Sequence, residues 1–416
     1  MVSPFLPDAD KVAEVRAALP AVGAGIYLNT GSVGPLPAET AKAMADLADW
    51  ELRVGRAHPD YWTETLARMD EARGAIAAIV GGSIGSIALT HSATDGMNLA
   101  AWAPDWRQGD RVVTTDAEHG GGLGPLTVLR DRLGVELRTV GIGAGEGAPD
   151  DDELVRRFEA AIDDRTRLVA LSHVAWTTGA ILPVPRIAAV ARARGALVAI
   201  DGAQAVGAIP VRVADLGVDL YAISAQKWLL GPEGMGALWV APGSTERVAR
   251  TLAGHFSFER LDLDGTSRPW PDARRFESSN FHRPSIVGLA RSCGWLAMYV
   301  GLDWIQRRGP ELAGRTAELL AAIPGVTLLT PRDRMANLVT IRIAGWESSA
   351  ALEELGARVF AIARTVPSLD AIRFSVGFFN TEEEIERVVE CVRLLATHGP
   401  DDLPARRRLV VLEGEG

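Results

Sequence analysis

Cysteine is almost missing from this chain: Cys293 and Cys391 are the two present in 416 residues. Two thiols so far apart form neither a metal-ligand pattern nor a disulfide framework, and their scarcity suits a reducing compartment. A basic excess is missing as well. With 43 Lys plus Arg against 53 Asp plus Glu the formal net charge is -10, which argues against an extended nucleic-acid surface, because phosphate binding needs a concentrated cationic excess. No segment is long and apolar enough to span a bilayer, and the opening MVSPFLPDADKVAEV has neither the basic flank nor the apolar stretch of a secretion signal. These absences lead to the expectation of a cytoplasmic protein without membrane or nucleic-acid partners. The run Gly120-Gly121-Gly122 lacks the G-x-G-x-x-G spacing of a dinucleotide site. What is present is apolar material, 47% of residues, enough at this length for a large core and two domains.

The most informative stretch is 197–240, LVAIDGAQAVGAIPVRVADLGVDLYAISAQKWLLGPEGMGALWV. One apolar run, 197–200, ends in Asp201. A second, 220–224, is followed by Lys227 and the turn Gly231-Pro232-Glu233-Gly234. Short apolar runs closed by turn residues are the pattern of buried strands in a mostly parallel sheet, where ligands sit beyond the carboxyl ends of the strands. A carboxylate and an amine are therefore delivered to one rim. Pyridoxal phosphate needs that pair, since a lysine bonds it covalently and a carboxylate keeps its ring nitrogen protonated so that the ring can take up electrons. On this reading Lys227 is the covalent lysine, Asp201 the partner of the ring nitrogen, and Gln204 stands near enough in sequence to reach the phenolic oxygen. Alternatively, Asp201-Gly202 is only a turn and Lys227 a solvated loop residue, which the coincidence of both at two run ends disfavours.

This segment resembles the signature of the NifS-like branch of the class V aminotransferases. These are fold-type I PLP-dependent enzymes that include cysteine desulfurases, cystine and cysteine-conjugate C-S lyases, and isopenicillin N epimerase-like proteins. The likeness runs from about residue 27 to about residue 395. It implies an α/β fold, with a mostly parallel seven-stranded central sheet, helices on both faces, and a smaller α+β C-terminal domain. The expected division is an N-terminal segment 1–24 packed on the domains, a large PLP-binding domain 25–285, a small domain 286–400 entered by a connecting helix, and a tail 401–416. The resemblance also implies a small-molecule amino-acid substrate, a homodimer with a shared active site, and no metal.

Along the chain, helices are read at 10–19 and across 37–80, the latter interrupted at His58-Pro59. A strand at 86–90 turns into a helix through His91-Ser92-Ala93-Thr94, and free N–H groups plus the helix dipole make such a junction an anion site. The cofactor phosphate is assigned there, with Ala93 donating through its backbone and Thr94 through backbone and hydroxyl; a plain N-cap role for Thr94 is compatible with this. Further strands are read at 111–115, 136–142, 166–174 and 236–241, the last antiparallel in the resembling fold, with a crossover helix at 186–194. A long connecting helix at 284–308 precedes strands at 326–330, 337–343 and 371–376, and Thr381 with Glu384 forms a capping box for the last helix.

The resemblance assigns further roles. His119, in Glu118-His119, lies over the pyridine ring, where an imidazole stacks and exchanges protons; a lone histidine is otherwise structural. Trp176 matches the C-S lyases, where desulfurases carry Asn, and narrows the space above the cofactor. Ser224 and Gln226 join the cofactor-binding set. Gln226 replaces the usual His and Ala93 the usual Thr, so Gln226 offers a hydrogen bond without positive charge. In Arg274-Arg275-Phe276-Glu277-Ser278-Ser279-Asn280, Asn280 falls where the family has a hydroxyl that reaches the cofactor phosphate of the neighbouring subunit, with a polar surface loop as the alternative. Asn29 belongs to a loop, 29–32, that approaches the substrate, with ordinary turn chemistry as the alternative. Arg373, in Ala371-Ile372-Arg373-Phe374-Ser375, grips the substrate carboxylate, since an arginine between Ile and Phe in a strand calls for a planar anionic partner. Arg364 assists it unless it is a solvated loop residue. Residues 359–373, VFAIARTVPSLDAIR, contain no cysteine where desulfurases keep their sulfur-accepting thiol. The expected reaction is C-S β-elimination from cysteine, cystine or an S-conjugated cysteine, with an epimerase, aminotransferase or decarboxylating deaminase as the alternative, and a non-catalytic binding protein disfavoured by intact Lys227, Asp201, His119 and Arg373.

Overall fold

A computed structural model describes residues 8–406. The tail expected at 401–416 therefore lies mostly outside the described residues, as do the first seven. The central sheet has seven strands: β1 (Ile87–Thr90), β2 (Arg111–Thr115), β3 (Glu136–Val140), β4 (Thr166–Ser172), β5 (Leu197–Asp201), β6 (Leu220–Ser224) and β7 (Gly236–Val240). Their order is β1-β7-β6-β5-β4-β2-β3. Only β7 runs against its neighbours β6 and β1; the other pairs are parallel.

Every residue of β5 and β6 is buried, and side-chain alternation sends successive residues to opposite cores. Helices α1 (Asp8–Ala17) and α2 (Ala38–Val54) come first in the chain. Val198, Ile200, Tyr221 and Ile223 enter one core, with residues of helices α3 (Tyr61–Val80), α6 (Asp151–Ala161), α7 (Val184–Ala193) and α8 (Arg283–Gly294). Leu197, Ala199, Leu220 and Ala222 enter the other, with α4 (Ala93–Ala101) and α5 (Gly120–Leu133). This two-sided coverage explains the near-continuous apolar runs. The smaller domain carries a four-stranded antiparallel sheet, β8 (Val326–Leu328), β9 (Leu338–Ile343), β10 (Arg364–Val366) and β11 (Ala371–Ser375), in the order β8-β9-β11-β10.

One feature differs from expectation. The connecting helix at 284–308 is two helices, because α8 passes through a π turn, Trp295–Val300, and meets α9 (Leu302–Ala321) at 84°. Gly301 sits at the corner with φ 93°, a conformation open to glycine that an α-helix cannot continue through. The glycine run opens α5; a Cβ on Gly121 would overlap the Thr94 hydroxyl, so its absence lets the starts of α4 and α5 approach. Arg364 lies in strand β10, which leaves the solvated-loop alternative without support.

The chain just after the N-terminal segment, at the expected start of the large domain, is tied to the smaller domain. Ile26 and Tyr27 pair in parallel with Ala361 and Ile362, and Asn29 bridges to Ser375. That pairing brings residues 29–34 across the rim of the large sheet, where Gly34 N–H donates to Gln226 O at 2.7 Å.

Candidate active site

At the carboxyl ends of β4, β5 and β6 lies a cavity of about 200 Å³. Its walls include Ala93, Thr94, His119, Trp176, Asp201, Gln204, Ser224, Gln226, Lys227, Arg364 and Arg373, together with Gly31, Ser32, Ser92 and Ala203. Two expected residues are not among them. Asn29 acts one step back, its Oδ1 accepting from Ser32 Oγ at 2.7 Å. Asn280 lies outside the cavity of its own chain, with its carbonyl 3.3 Å from His91 Nε2.

The turn after β5 aims Asp201. A Cβ on Gly202 would overlap the Tyr221 ring, while Gly202 N–H donates to Ala222 O at 2.8 Å and Ala203 N–H to Asp201 Oδ1 at 2.9 Å. Gln204 is held from both ends: Trp228 Nε1 donates to its Oε1 at 2.9 Å, and its Nε2 donates to Gly31 O at 2.7 Å. The second N–H on Nε2 remains for the cavity.

At the anion end, Ser92 is the N-cap of α4, its Oγ accepting from Asp95 N–H at 3.1 Å. Thr94 is therefore not the cap. The early N–H groups of α4 beside Ala93 and Thr94 have no preceding helical carbonyls and face the cavity with the positive end of the dipole.

Burial pulls the Lys227 amine down to about 8, against the charge of Asp201 and with the help of Arg373 and Arg364. No hydrogen bond or ion pair holds this amine among the described residues. His119 is also pulled down, by burial first and then by Lys227, with Asp201 opposing. Its Nδ1 accepts from Gly121 N–H at 3.1 Å, which leaves the proton to Nε2, and its ring meets Trp176 edge-on at 5.6 Å.

Arg373 is fully buried, and burial reinforced by Arg364 pulls it to about 9. A guanidinium keeps its charge in proteins, so the shift expresses demand for an anion. Its Nη1 donates to Trp176 O at 2.8 Å, and no carboxylate pairs with it among the described residues. Arg373 Nε, Trp176 Nε1 and Gln226 Oε1 are buried without partners. Buried polar atoms without partners are rare in native proteins and here line one cavity, the pattern of a site completed by a ligand. Pyridoxal phosphate and an amino-acid carboxylate supply the missing anions and acceptors, so the residues present fit that cofactor.

Sequence reading missed Ser92 and Ala203, whose only local signal is proximity to Ala93 and Asp201. It also left Glu118 without a role. This carboxyl accepts from Thr115 Oγ1 at 2.5 Å, Ser172 Oγ at 2.6 Å and Ser172 N–H at 3.1 Å.

A doubly wound sheet with an unpaired amine, a carboxylate, an edge-held imidazole and an anion pocket at one rim defines the fold-type I class of cofactor-dependent enzymes. The family model described as aminotransferase class-V matches residues 26–388, and the chain belongs to that family. It is 32% identical to the isopenicillin N epimerase of Streptomyces clavuligerus over 384 residues, 89% of this chain and 94% of that protein. It is 25% identical over 402 residues to a probable cysteine desulfurase of Methanothermobacter thermautotrophicus, with 93% and 98% of the two chains covered. Among solved structures, the complex of the cystine C-S lyase C-DES with its reaction product cysteine persulfide matches with a TM-score of 0.85 at 25% identity, covering 92% of this chain and 100% of that one. The apo cysteine desulfurase from Thermococcus onnurineus NA1 gives 0.81 at 25% identity, with coverage of 95% and 100%.

Proposed function

We propose that the protein is a pyridoxal-phosphate-dependent lyase that breaks the Cβ–S bond of cysteine, cystine or an S-conjugated cysteine. The observation that carries this reading is a cavity in which a depressed amine and two guanidiniums face each other without any thiol. Pyridoxal phosphate, when bound, supplies an electron sink for the pair left at Cα.

Asp201 would hold the proton at the ring nitrogen of that cofactor, and Gln204 would donate to its phenolic oxygen. His119, in the cavity wall beside Trp176, would be a contact for the ring. The start of α4, with Thr94, Ser224 and Gln226, takes the phosphate. Arg373, assisted by Arg364, orients the substrate carboxylate, and Trp176 limits the room beside it. Lys227, freed as an amine on substrate binding, removes the Cα proton; its value of about 8 leaves an appreciable neutral fraction near neutral pH. Departure of the thiolate from Cβ and addition of water give pyruvate, ammonia and a thiol, or a persulfide from cystine.

No protein thiol is positioned to accept sulfur. Cys293 and Cys391 are 1% and 5% exposed, and burial pushes them up to about 12 and about 11. Sulfur therefore leaves with the product.

Epimerisation is the second reading, favoured by the 32% identity to the Streptomyces clavuligerus epimerase. Incubation with cystine, cysteine and S-substituted cysteines distinguishes the two. Pyruvate with a free thiol or persulfide supports the lyase; recovery of racemised substrate without pyruvate replaces it with the epimerase.

The proposal includes a cytoplasmic location and a homodimer in which Asn280 reaches the cofactor phosphate of the neighbouring subunit. Sedimentation of a fully active monomer at low concentration would remove the dimer from it.

A further inference from the structure

Glu118 is a buried carboxyl that the proposed reaction does not use. Its oxygens take three donors from the ends of two strands: Thr115 Oγ1 on β2, and the hydroxyl and amide of Ser172 on β4. Ser172 is the register partner of Asp201 across β4 and β5, and the next residue, His173, donates its N–H to Asp201 O at 2.9 Å. The strand end that Glu118 anchors is therefore the one beside the ring-nitrogen carboxylate. The two carboxyls also share a neighbour. A Cβ on Gly122 would lie 3.8 Å from Asp201 Oδ2 and 4.0 Å from Glu118 Oε2.

We propose that Glu118 is a positioning residue for Asp201, holding the end of β4 against β5 and placing beside Asp201 a second carboxyl whose charge tunes the proton affinity of the cofactor's ring nitrogen. The inference rests on the pyridoxal-phosphate reading above.

The surroundings of Glu118 fit this role. Asp201, from β5, is the charged group that acts on it. On its own turn, Asp116 faces away, its Oδ1 accepting from Ile142 N–H, and His119 is engaged with Gly121 and Trp176. From α4 and α5 the neighbours at this point are Met97 and Gly122, which carry no charge. No cation pairs with Glu118 among the described residues. Burial accordingly raises the carboxyl to about 7, with the Ser172 and Thr115 donors opposing and the charge of Asp201 adding to the rise. Glu118 thus gains its charge on passing through neutral pH. A negative charge added beside Asp201 favours the protonated ring nitrogen.

The test has two parts. In cofactor-free protein, infrared difference spectra taken on either side of about 7 should show a carboxyl band that fades as pH rises. Glu118→Gln should lack that band, and Ser172→Ala should move its midpoint upward, because the Ser172 hydroxyl, a donor that favours the ionised form, has been removed. In the holoenzyme, the absorbance of the bound cofactor and kcat/KM should each show a transition in the same window, absent in Glu118→Gln and displaced upward in Ser172→Ala, with KM nearly unchanged. A persistent band in Glu118→Gln, or a cofactor transition that survives in that variant, overturns the inference. Native protein that never binds the cofactor sinks the functional reading instead, a result the infrared measurement does not mimic.

Discussion

Arg364 and Arg373 converge on one acceptor, the Ser32 hydroxyl, at 3.3 and 3.4 Å, with no carboxylate paired to either cation among the described residues. Two like charges held together in a buried wall repel each other, and both lie close to the Trp176 ring, at 5.2 and 5.9 Å from its centroid. An anionic substrate group resolves that repulsion, which makes the pair the entry point for predictions about binding.

Arg373→Lys should raise KM strongly and change kcat less, because the planar fork is lost from a fully buried position. The expected loss is roughly 30- to 3000-fold, matching the 2–5 kcal/mol that truncating a buried charge pair costs. Arg364→Ala should cost less, since that side chain is only partly buried. An amino-acid amide, lacking the carboxylate, should show little difference between native and variant enzymes; equal losses for amide and acid would place the carboxylate elsewhere.

Lys227 is one of three lysines in the chain, with Lys11 and Lys42. Borohydride reduction should therefore fix the cofactor to a single peptide, and Lys227→Ala should abolish that attachment while leaving cofactor binding by Asp201 and the start of α4. A label recovered on Lys11 or Lys42 would refute the assignment.

The same amine should make the cofactor-free protein sensitive to alkaline pH in an unusual direction. Its folded value of about 8 lies below the ordinary 10.5, so between these limits the folded state binds fewer protons than the unfolded one. Stability from this group rises through that window, and its penalty is fully present below about 8. Lys227→Met should stabilise the apoprotein near neutral pH by roughly 3 kcal/mol, at about 1.4 kcal/mol per pKa unit, and by progressively less as the amine discharges. Urea unfolding of both proteins across the window measures this, and a gain independent of pH would assign it to packing instead.

Changing Cys293 and Cys391 together to Ser should preserve pyruvate formation from cystine, with a modest loss of stability from burying two hydroxyls. Product sulfur that depends on either thiol would show a relay through the protein.

The strands bearing Asp201 and Lys227 were legible because a buried parallel strand writes itself as a short apolar run, and the rim residue is whatever polar group ends it. His119 was legible only through likeness to a family, since one histidine beside a glycine run has no periodicity. That run also concealed α5: glycine is a poor helix former, and its reason for being there is contact with Thr94 on another helix. Gly301 concealed a corner, because one glycine in a long apolar stretch gives no sign of the backbone sign change. Glu118 and Ser172 are 54 residues apart, a pairing without a local signature. Ser92 was passed over for Thr94 as the cap because both are hydroxyl residues one turn from the same junction.

The pairing of Ile26 and Tyr27 with Ala361 and Ile362 sets an order of events during protein synthesis. A ribosome that has released β1 to β7 has supplied the amine, the carboxylate and the phosphate end, yet the loop around Ser32 still awaits β10 and β11 to lie against. Until those late strands emerge, the rim stays open to water, and a small molecule meeting the nascent chain finds a pocket without its Arg364 and Arg373 wall. Capture of the substrate carboxylate, which needs Arg373 and Arg364, should therefore follow chain completion.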